Sequence, residues 1–282
     1  MSPLWLLKYL PNMPASHLAI FNDMRGPNNS LTQREAVANQ ALGEAAQTIL
    51  RNSADIVITG ATGTRVHPQK MIHAVQQEEL AGGVDDPARA SRPFDRDRSG
   101  AVLGEGAGAV VLEELGSAMA RGATIFGEVL SSASSSVAGR NLVAHRDKAL
   151  ANVLRGVLEM GGMTADEVGH LHAHGLSTRS CDREEAAAIN EIFGSRAEPI
   201  PVVAAKSNFG NLGAGGGAVE LIASLLAMAH GQLFPVLNYE TPDPECPVAV
   251  VTEGGGAAGS SFVNANVTPQ GQASAVLIRE YA

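Results

Sequence analysis

Apolar positions recur along this chain in short blocks of two different periods. In "REAVANQALGEAAQTILRN", Arg34 to Asn52, the apolar residues Ala36, Leu42, Ala46 and Ile49 fall at helical spacing. "ADIVITG", Ala54 to Gly60, is a short β-branched run closed by glycine and predicts a buried strand. "GAGAVVLEEL" and "TIFGEVLSS" predict two further strands, with the small helix "GSAMARG" between them. "RDKALANVLRGVLEMGG" is an amphipathic helix that stops on glycines, and "TADEVGHLHAHG" reads as a capped turn followed by a strand. "DREEAAAINEIFG" places acidic residues in a first helical turn, where the helix dipole favours them. "EPIPVVAAKS" predicts a strand and "GGGAVELIASLLAMAHG" a buried helix, while "SSFVNANV" and "QASAVLIREY" are the last strands. Alternation of strand and helix throughout predicts an α/β layered fold.

Composition narrows this picture only a little. The 282 residues are 45% hydrophobic, enough for one large or two small domains with a well-buried core. A formal net charge of −9 without a basic stripe excludes the usual nucleic-acid footprint. The two cysteines, Cys181 and Cys246, lie far apart, so neither a disulfide scaffold nor a cysteine metal site is expected. The start, "MSPLWLLKYLPNMP", has an apolar run too short to span a bilayer and lacks a basic leader, so a cytoplasmic location is expected. Aromatics are only 4% while glycine reaches 31 residues, which predicts close packing and tight turns around a buried site. "SSASSSVAG", Ser131 to Gly139, is the one stretch resembling a linker and is short enough to be a loop.

Three places carry candidate chemistry. "KSNFGNLGAGGGAVE", Lys206 to Glu220, suggests a phosphate cradle at first sight, but that motif puts lysine after the glycines and here Lys206 precedes them. His170, His172 and His174 alternate in "HLHAHGLST" and share a strand face, as metal ligands do. No carboxylate or thiolate cluster of ligand spacing accompanies them. The reading adopted is therefore one functional histidine, His174, at a strand end, where Gly175 lets the chain turn, and no metal or cofactor is expected. "RPFDRDRSGAVLGEGAGAVVLEEL", Arg92 to Leu115, sets a dense mixed-charge cluster before a glycine turn and a strand, and the spacing of Asp95, Arg96, Asp97 and Arg98 suits a salt-bridged loop locked on a core.

That stretch closely resembles the β-ketoacyl-acyl-carrier-protein synthases, the ketosynthases of fatty acid and polyketide assembly. "DDPARASRPFD", "AHGLSTRSCDREEAAAI", "KSNFGNLGAGGGAVE" and "YLPNMPASHLAIFNDMRGPNNS" resemble other family segments in the same order. The resemblance implies a thiolase-like fold of stacked α-β-α-β-α layers with its N-terminal half incomplete. Residues 1–115 then stand for the remainder of the N-terminal half and 116–282 for the C-terminal half. It also implies dimerisation, as a homodimer or with an active ketosynthase, and a partner acyl carrier protein bearing a phosphopantetheine-bound acyl or malonyl group. In the family, a cysteine at a helix N-terminus takes the acyl group and two histidines assist decarboxylation of malonyl.

This sequence departs from that pattern. Counted from Gly26–Asn28 and back from Gly43–Ala46, the nucleophile position is Glu35, and the second histidine position is Asn211. His174 stays in its family form, Lys206 matches the family lysine as an electrostatic brace, and the glycine-rich gate after Asn266 is absent. A carboxylate captures an acyl group only as an anhydride, so Glu35 is a poor replacement for a thiolate. Asn211 is a milder change, since its amide can donate to an enolate oxygen as a neutral histidine does. Cys181 is expected to be a small buried residue rather than a substitute nucleophile, and Ser177 and Thr178 to be structural hydrogen-bonding groups. Three functions fit these residues: a non-condensing partner subunit like a chain-length factor, a malonyl-carrier decarboxylase using His174 and Asn211, or an inactive relic.

Overall fold

The computed structural model describes residues 10–83 and 85–281, so most of the apolar N-terminal run lies outside the described residues. The elements in chain order are α1 (Met13–Phe21), α2 (Val37–Leu50), β1 (Ile56–Thr64), α3 (Pro68–Gln77), β2 (Glu105–Glu113), α4 (Leu115–Ala120), β3 (Glu128–Ser136) and α5 (Arg146–Gly161). They continue with β4 (His170–His172), α6 (Arg179–Phe193), β5 (Pro201–Val203), α7 (Lys206–Phe209), α8 (Gly216–Ala229), β6 (Ala249–Val250), β7 (Ser261–Val267) and β8 (Gln272–Arg279). β1 and β2 form an antiparallel two-stranded sheet, and the other six form a mixed sheet in the order β3-β8-β7-β4-β5-β6. The β3-β8-β7 part is antiparallel and the β7-β4-β5-β6 part parallel.

Helices α2 and α8 lie between the two sheets, and α5 with α6 covers the far face of the larger one. Their sequences dictate this placement. α8 is apolar almost all round and buries Ala218, Leu221, Ala227 and Met228, as a helix with sheet on both sides must. α5 buries Ala149, Leu150, Val153, Leu154 and Val157 on one stripe and ends on Gly162 in the left-handed region at φ 64°. The capped turn at Thr164 closes with Glu167 as a reciprocal capping box just before β4.

Several expected elements change. β1 and β2 are not buried strands: Ile58 and Val111 pair directly, and both are more than half exposed, at 53% and 58%. Their sheet is covered on one face only, so one side of each strand is left open. The serine run is not a loop. Ser131 to Ser136 pairs with buried β8, and Ser131 Oγ donates to Val157 O at 2.6 Å, so tertiary pairing overrides a weak local preference. The strand expected up to Ser207 ends at Val203, and Lys206 begins the short helix α7. α1 and α3 are additional to the elements predicted, and between them they bury only Ala74.

The glycine-rich loop between α7 and α8 is a packing device. A Cβ on Gly215 would collide with Gly106 O and lie 2.8 Å from Gly63 N, so three backbones meet where no side chain fits. Gly210 and Gly213 have φ of 74° and 65°, in the region glycine alone enters freely. Gly215→Ala should therefore destabilise the chain by about 2 kcal/mol or more, read as a lower midpoint in urea unfolding with an unchanged slope.

Candidate active site

The turn before α2 delivers Glu35 inward. Arg34 has φ 50°, unusual for a residue with a side chain, and a short 3-10 turn over Arg34–Ala36 then leads into the helix. Glu35 is 2% exposed, and its charge is balanced by arginines. Arg65 Nη1 donates to Glu35 Oε1 at 2.8 Å, and Arg34 Nε stands 3.3 Å from Oε2. Glu78 completes the cluster, accepting from Arg65 Nη2 at 2.6 Å and from Arg34 Nη2 at 2.8 Å. Burial opposes ionisation of Glu78, but hydrogen bonds from Arg65 and Arg34 outweigh it and hold its pKa below the ordinary carboxylate value.

Asn211 sits against this cluster. Its Nδ2 donates to Glu35 Oε1 at 3.2 Å and its Oδ1 accepts from Gly213 N at 2.9 Å. Its main chain is bound to the segment before β2: Asn211 N donates to Val102 O at 2.7 Å, and Asn211 O accepts from Gly104 N at 3.0 Å. The glycine loop thus aims this amide at the position the sequence marks as the nucleophile's.

His174 follows β4 and is held from both sides. Its own N–H and that of Gly175 donate to the two oxygens of Glu185, at 2.6 and 2.8 Å. Lys206 Nζ donates to His174 O at 2.7 Å, lies 3.2 Å from His174 Nδ1 and pairs with Glu220. Asn266 Nδ2 in turn donates to Glu220 Oε2 at 2.6 Å. An ammonium has no lone pair, so Nδ1 is the acceptor and the ring proton sits on Nε2. Burial lowers the His174 pKa well below 6.5, helped by the nearby Lys206 and Arg146 charges, so the ring is neutral.

The structure brings Glu35 into contact with Asn211 and His174 into contact with Lys206. It joins the two pairs through Asn39, one turn beyond Glu35, whose amide donates to Asn266 Oδ1 at 3.1 Å, while Asn266 Nδ2 lies 3.4 Å from His174 Nδ1. Arg65, Glu78, Glu185, Glu220 and the buried Asn39–Asn264–Asn266 set were not identified from sequence. Only Arg34, adjacent to Glu35, carried a local signal. Asn39 lies on α2, Asn264 and Asn266 on β7 and Ser274 on β8, and Ser274 Oγ donates to Ala36 O at 2.7 Å behind Glu35.

The other candidates have structural partners. His172 Nε2 accepts from Ala205 N at 3.3 Å, and its Nδ1 lies 2.8 Å from Ser224 Oγ. Ser224 Oγ lies 3.0 Å from His170 Nε2, and His170 Nδ1 lies 2.7 Å from Ala258 O. Each ring nitrogen of His170 and His172 is thus occupied within the protein. Ser177 Oγ accepts from Arg92 N at 3.0 Å, and Thr178 Oγ1 accepts from Cys181 N at 3.2 Å as the α6 N-cap. Cys181 is buried, which pushes its thiol pKa well above 9.0. In the charged loop, Asp95 and Arg98 are buried: Asp95 accepts from Glu240 N and Thr241 N, both at 2.7 Å, and Arg98 pairs with Asp182 and Asp243. Arg96 and Asp97 face solvent, so only half of that cluster is locked.

Two outcomes follow from these charges. Arg65→Met should cost about 3 kcal/mol, because it removes the more buried of the two cations that the carboxylates of Glu35 and Glu78 share; chemical denaturation reads it. His170 gives a pH signature. Burial lowers its pKa to about 4, whereas the unfolded chain protonates near 6.5, so the unfolded state binds more protons below 6.5. Stability is then lost as pH falls from 6.5 and levels off below about 4. Buried Asp182 and Glu185, raised to about 6 and about 8, act in the opposite direction, so the comparison is between variant and parent. His170→Gln should remove on the order of 3 kcal/mol of stability difference between neutral pH and the acid end of that window.

Comparison with known proteins places the chain by family and fold. The family model described as "Beta-ketoacyl synthase, N-terminal domain" matches residues 1–118, and "Beta-ketoacyl synthase, C-terminal domain" matches residues 126–240. The 3-oxoacyl-[acyl-carrier-protein] synthase 2 of Synechocystis sp. is 35% identical over 89% of this chain and 60% of its own length. The tetracenomycin polyketide synthase ketoacyl synthase alpha subunit of Streptomyces glaucescens is 39% identical over 75% of this chain and 50% of its own. The solved ishigamide ketosynthase/chain length factor superposes with a TM-score of 0.91 at 29% identity, covering 100% of this chain and 68% of that one. A type II polyketide ketosynthase, solved with its acyl carrier protein and bound to a hexaketide, gives 0.91 at 26% identity, covering 96% and 67%. The chain spans half to three fifths of the length of these two curated relatives. With both halves of the family pattern matched in order and the fold reproduced, the chain belongs to the β-ketoacyl synthase family, with the thiolase-like fold.

Proposed function

We propose that this chain is a non-condensing ketosynthase-fold subunit of fatty acid or polyketide synthesis, acting beside a cysteine-bearing ketosynthase as a chain-length factor does. The observation that carries it is the ion pair between Glu35 and Arg65. Condensation needs a nucleophile that takes an acyl group and releases it again. Glu35 offers a carboxylate whose Oε1 is already shared by Arg65 and Asn211, and its acyl derivative would be an anhydride. The similarity to a ketosynthase/chain length factor structure supports the same role. The partners are then a ketosynthase subunit and an acyl carrier protein with its phosphopantetheine arm. No helix among the described residues is long and apolar enough to cross a membrane.

One observation favours decarboxylation of malonyl-carrier as a second reading: His174 presents a neutral Nε2–H, and Asn211 retains an amide hydrogen for an enolate oxygen. Against it, the Glu35 carboxylate stands beside Asn211 and would repel a malonate headgroup.

The test is intact-mass analysis of malonyl-carrier protein after incubation with the folded chain, together with co-expression with a cysteine-bearing ketosynthase. The expected outcome is no acetyl-carrier, co-purification with the ketosynthase, and condensation in the mixture alone. Acetyl-carrier formation that disappears in His174→Ala would replace the partner-subunit reading with the decarboxylase.

A further inference from the structure

We propose that the same group of side chains hydrolyses uncharged acyl thioesters presented on a pantetheine arm, with Glu35 as the base that activates water. This rests on the ketosynthase reading of the site, and it adds an activity to a subunit that does not condense.

Three buried side-chain polar atoms lack a hydrogen-bond partner among the described residues, Glu35 Oε2, His174 Nε2 and Asn264 Oδ1, and the first two are of opposite polarity. Glu35 Oε2 is an acceptor, and His174 Nε2 is a donor because Lys206 claims Nδ1. Neighbouring His170 and His172 have every ring nitrogen occupied, so an unoccupied one is not the habit of this core. Burying a donor or acceptor without a partner is costly, which is why such atoms mark places where a ligand completes the set. Glu35 Oε1 is taken by Arg65 and Asn211, while Arg34 Nε lies near Oε2 at 3.3 Å without making an aligned hydrogen bond. Oε2 therefore keeps a lone pair for a proton. Arg34 is the member of the cluster that reaches solvent, at 37% exposure, so a thioester arm would enter along it.

The chemistry follows from replacing a nucleophile by a base. The thioester carbonyl oxygen accepts from His174 Nε2–H and from the second amide hydrogen of Asn211. Water donates to Glu35 Oε2. As Glu35 takes that proton, the water oxygen bonds to the carbonyl carbon and the π pair moves to the held oxygen. The tetrahedral adduct then collapses, the carbon–sulfur bond breaks, and the departing thiolate takes the proton back from Glu35. The products are a carboxylic acid and a free carrier thiol; nothing is oxidised or reduced. A malonyl thioester is a poor substrate because its carboxylate faces that of Glu35.

The test uses the full chain with butyryl-pantetheine and butyryl-carrier protein in ¹⁸O-labelled water, following free thiol and the isotope content of the acid. Thiol release should exceed the buffer rate by at least ~10-fold, with one label per acid. Glu35→Gln should bring thiol release back to the buffer rate, since a general base contributes ~100-fold or more. A melting curve checks that this variant folds; if it does not, His174→Ala takes its place, with the same loss expected in turnover. A buffer-level rate from folded parent chain overturns the proposal, as does full activity in Glu35→Gln. If hydrolysis fails but co-purification with a ketosynthase holds, only this inference falls. If acetyl-carrier appears from malonyl-carrier, the partner-subunit reading falls and hydrolysis is judged on its own rate.

Discussion

A single buried ammonium ties the functional half of this molecule together. Lys206 lies at the start of α7, yet its side chain reaches the carbonyl and ring of His174 after β4 and the carboxylate of Glu220 on α8. Glu220 passes the constraint to Asn266 on β7. A cation can be buried at tolerable cost only when each of its protons has an acceptor and its charge is balanced. Lys206 meets both conditions, so four separate elements share one geometry, and the histidine tautomer follows from it.

The Glu35 cluster obeys the same rule with two cations and two anions. Arg34, Glu35, Arg65 and Glu78 come from three different segments, and each guanidinium touches both carboxylates. The glycine loop makes this possible by letting β1, β2 and the Asn211 turn approach to backbone contact, which brings the amide of Asn211 to Glu35. Glu35 thus sits in a self-balanced ionic arrangement rather than as an unpaired buried charge. The same arrangement leaves one carboxylate oxygen and one imidazole N–H without a hydrogen-bond partner among the described residues, and the proposed chemistry turns on that pair.

Local signals were sufficient wherever a residue acts through its own backbone or its own helix face. The apolar stripe of α5, the glycine at its end, the Thr164 capping box and the alternation that put His174 just past a strand were all readable, because their causes span fewer than about ten residues. The resemblance of ordered motifs also marked Glu35, Asn211, His174 and Lys206. The serine-rich strand and the open faces of β1 and β2 were misjudged, since pairing with β8 and the lack of a second covering layer are properties of the assembled sheets.

By itself, then, the sequence determined the layered α/β class and the family, and it pointed to Glu35, Asn211, His174 and Lys206 as candidate site residues. Only the tertiary structure decided that Arg65 and Glu78 stand against Glu35 and that Lys206 fixes the proton on Nε2 of His174. It also showed that the other two histidines are consumed by Ser224 and the main chain. The reason is physical. Periodicity and capping are short-range and leave a pattern in neighbouring letters. A buried charge, by contrast, is stabilised by whichever opposite charge the fold brings within hydrogen-bond reach, and the spacing of letters carries no record of that distance.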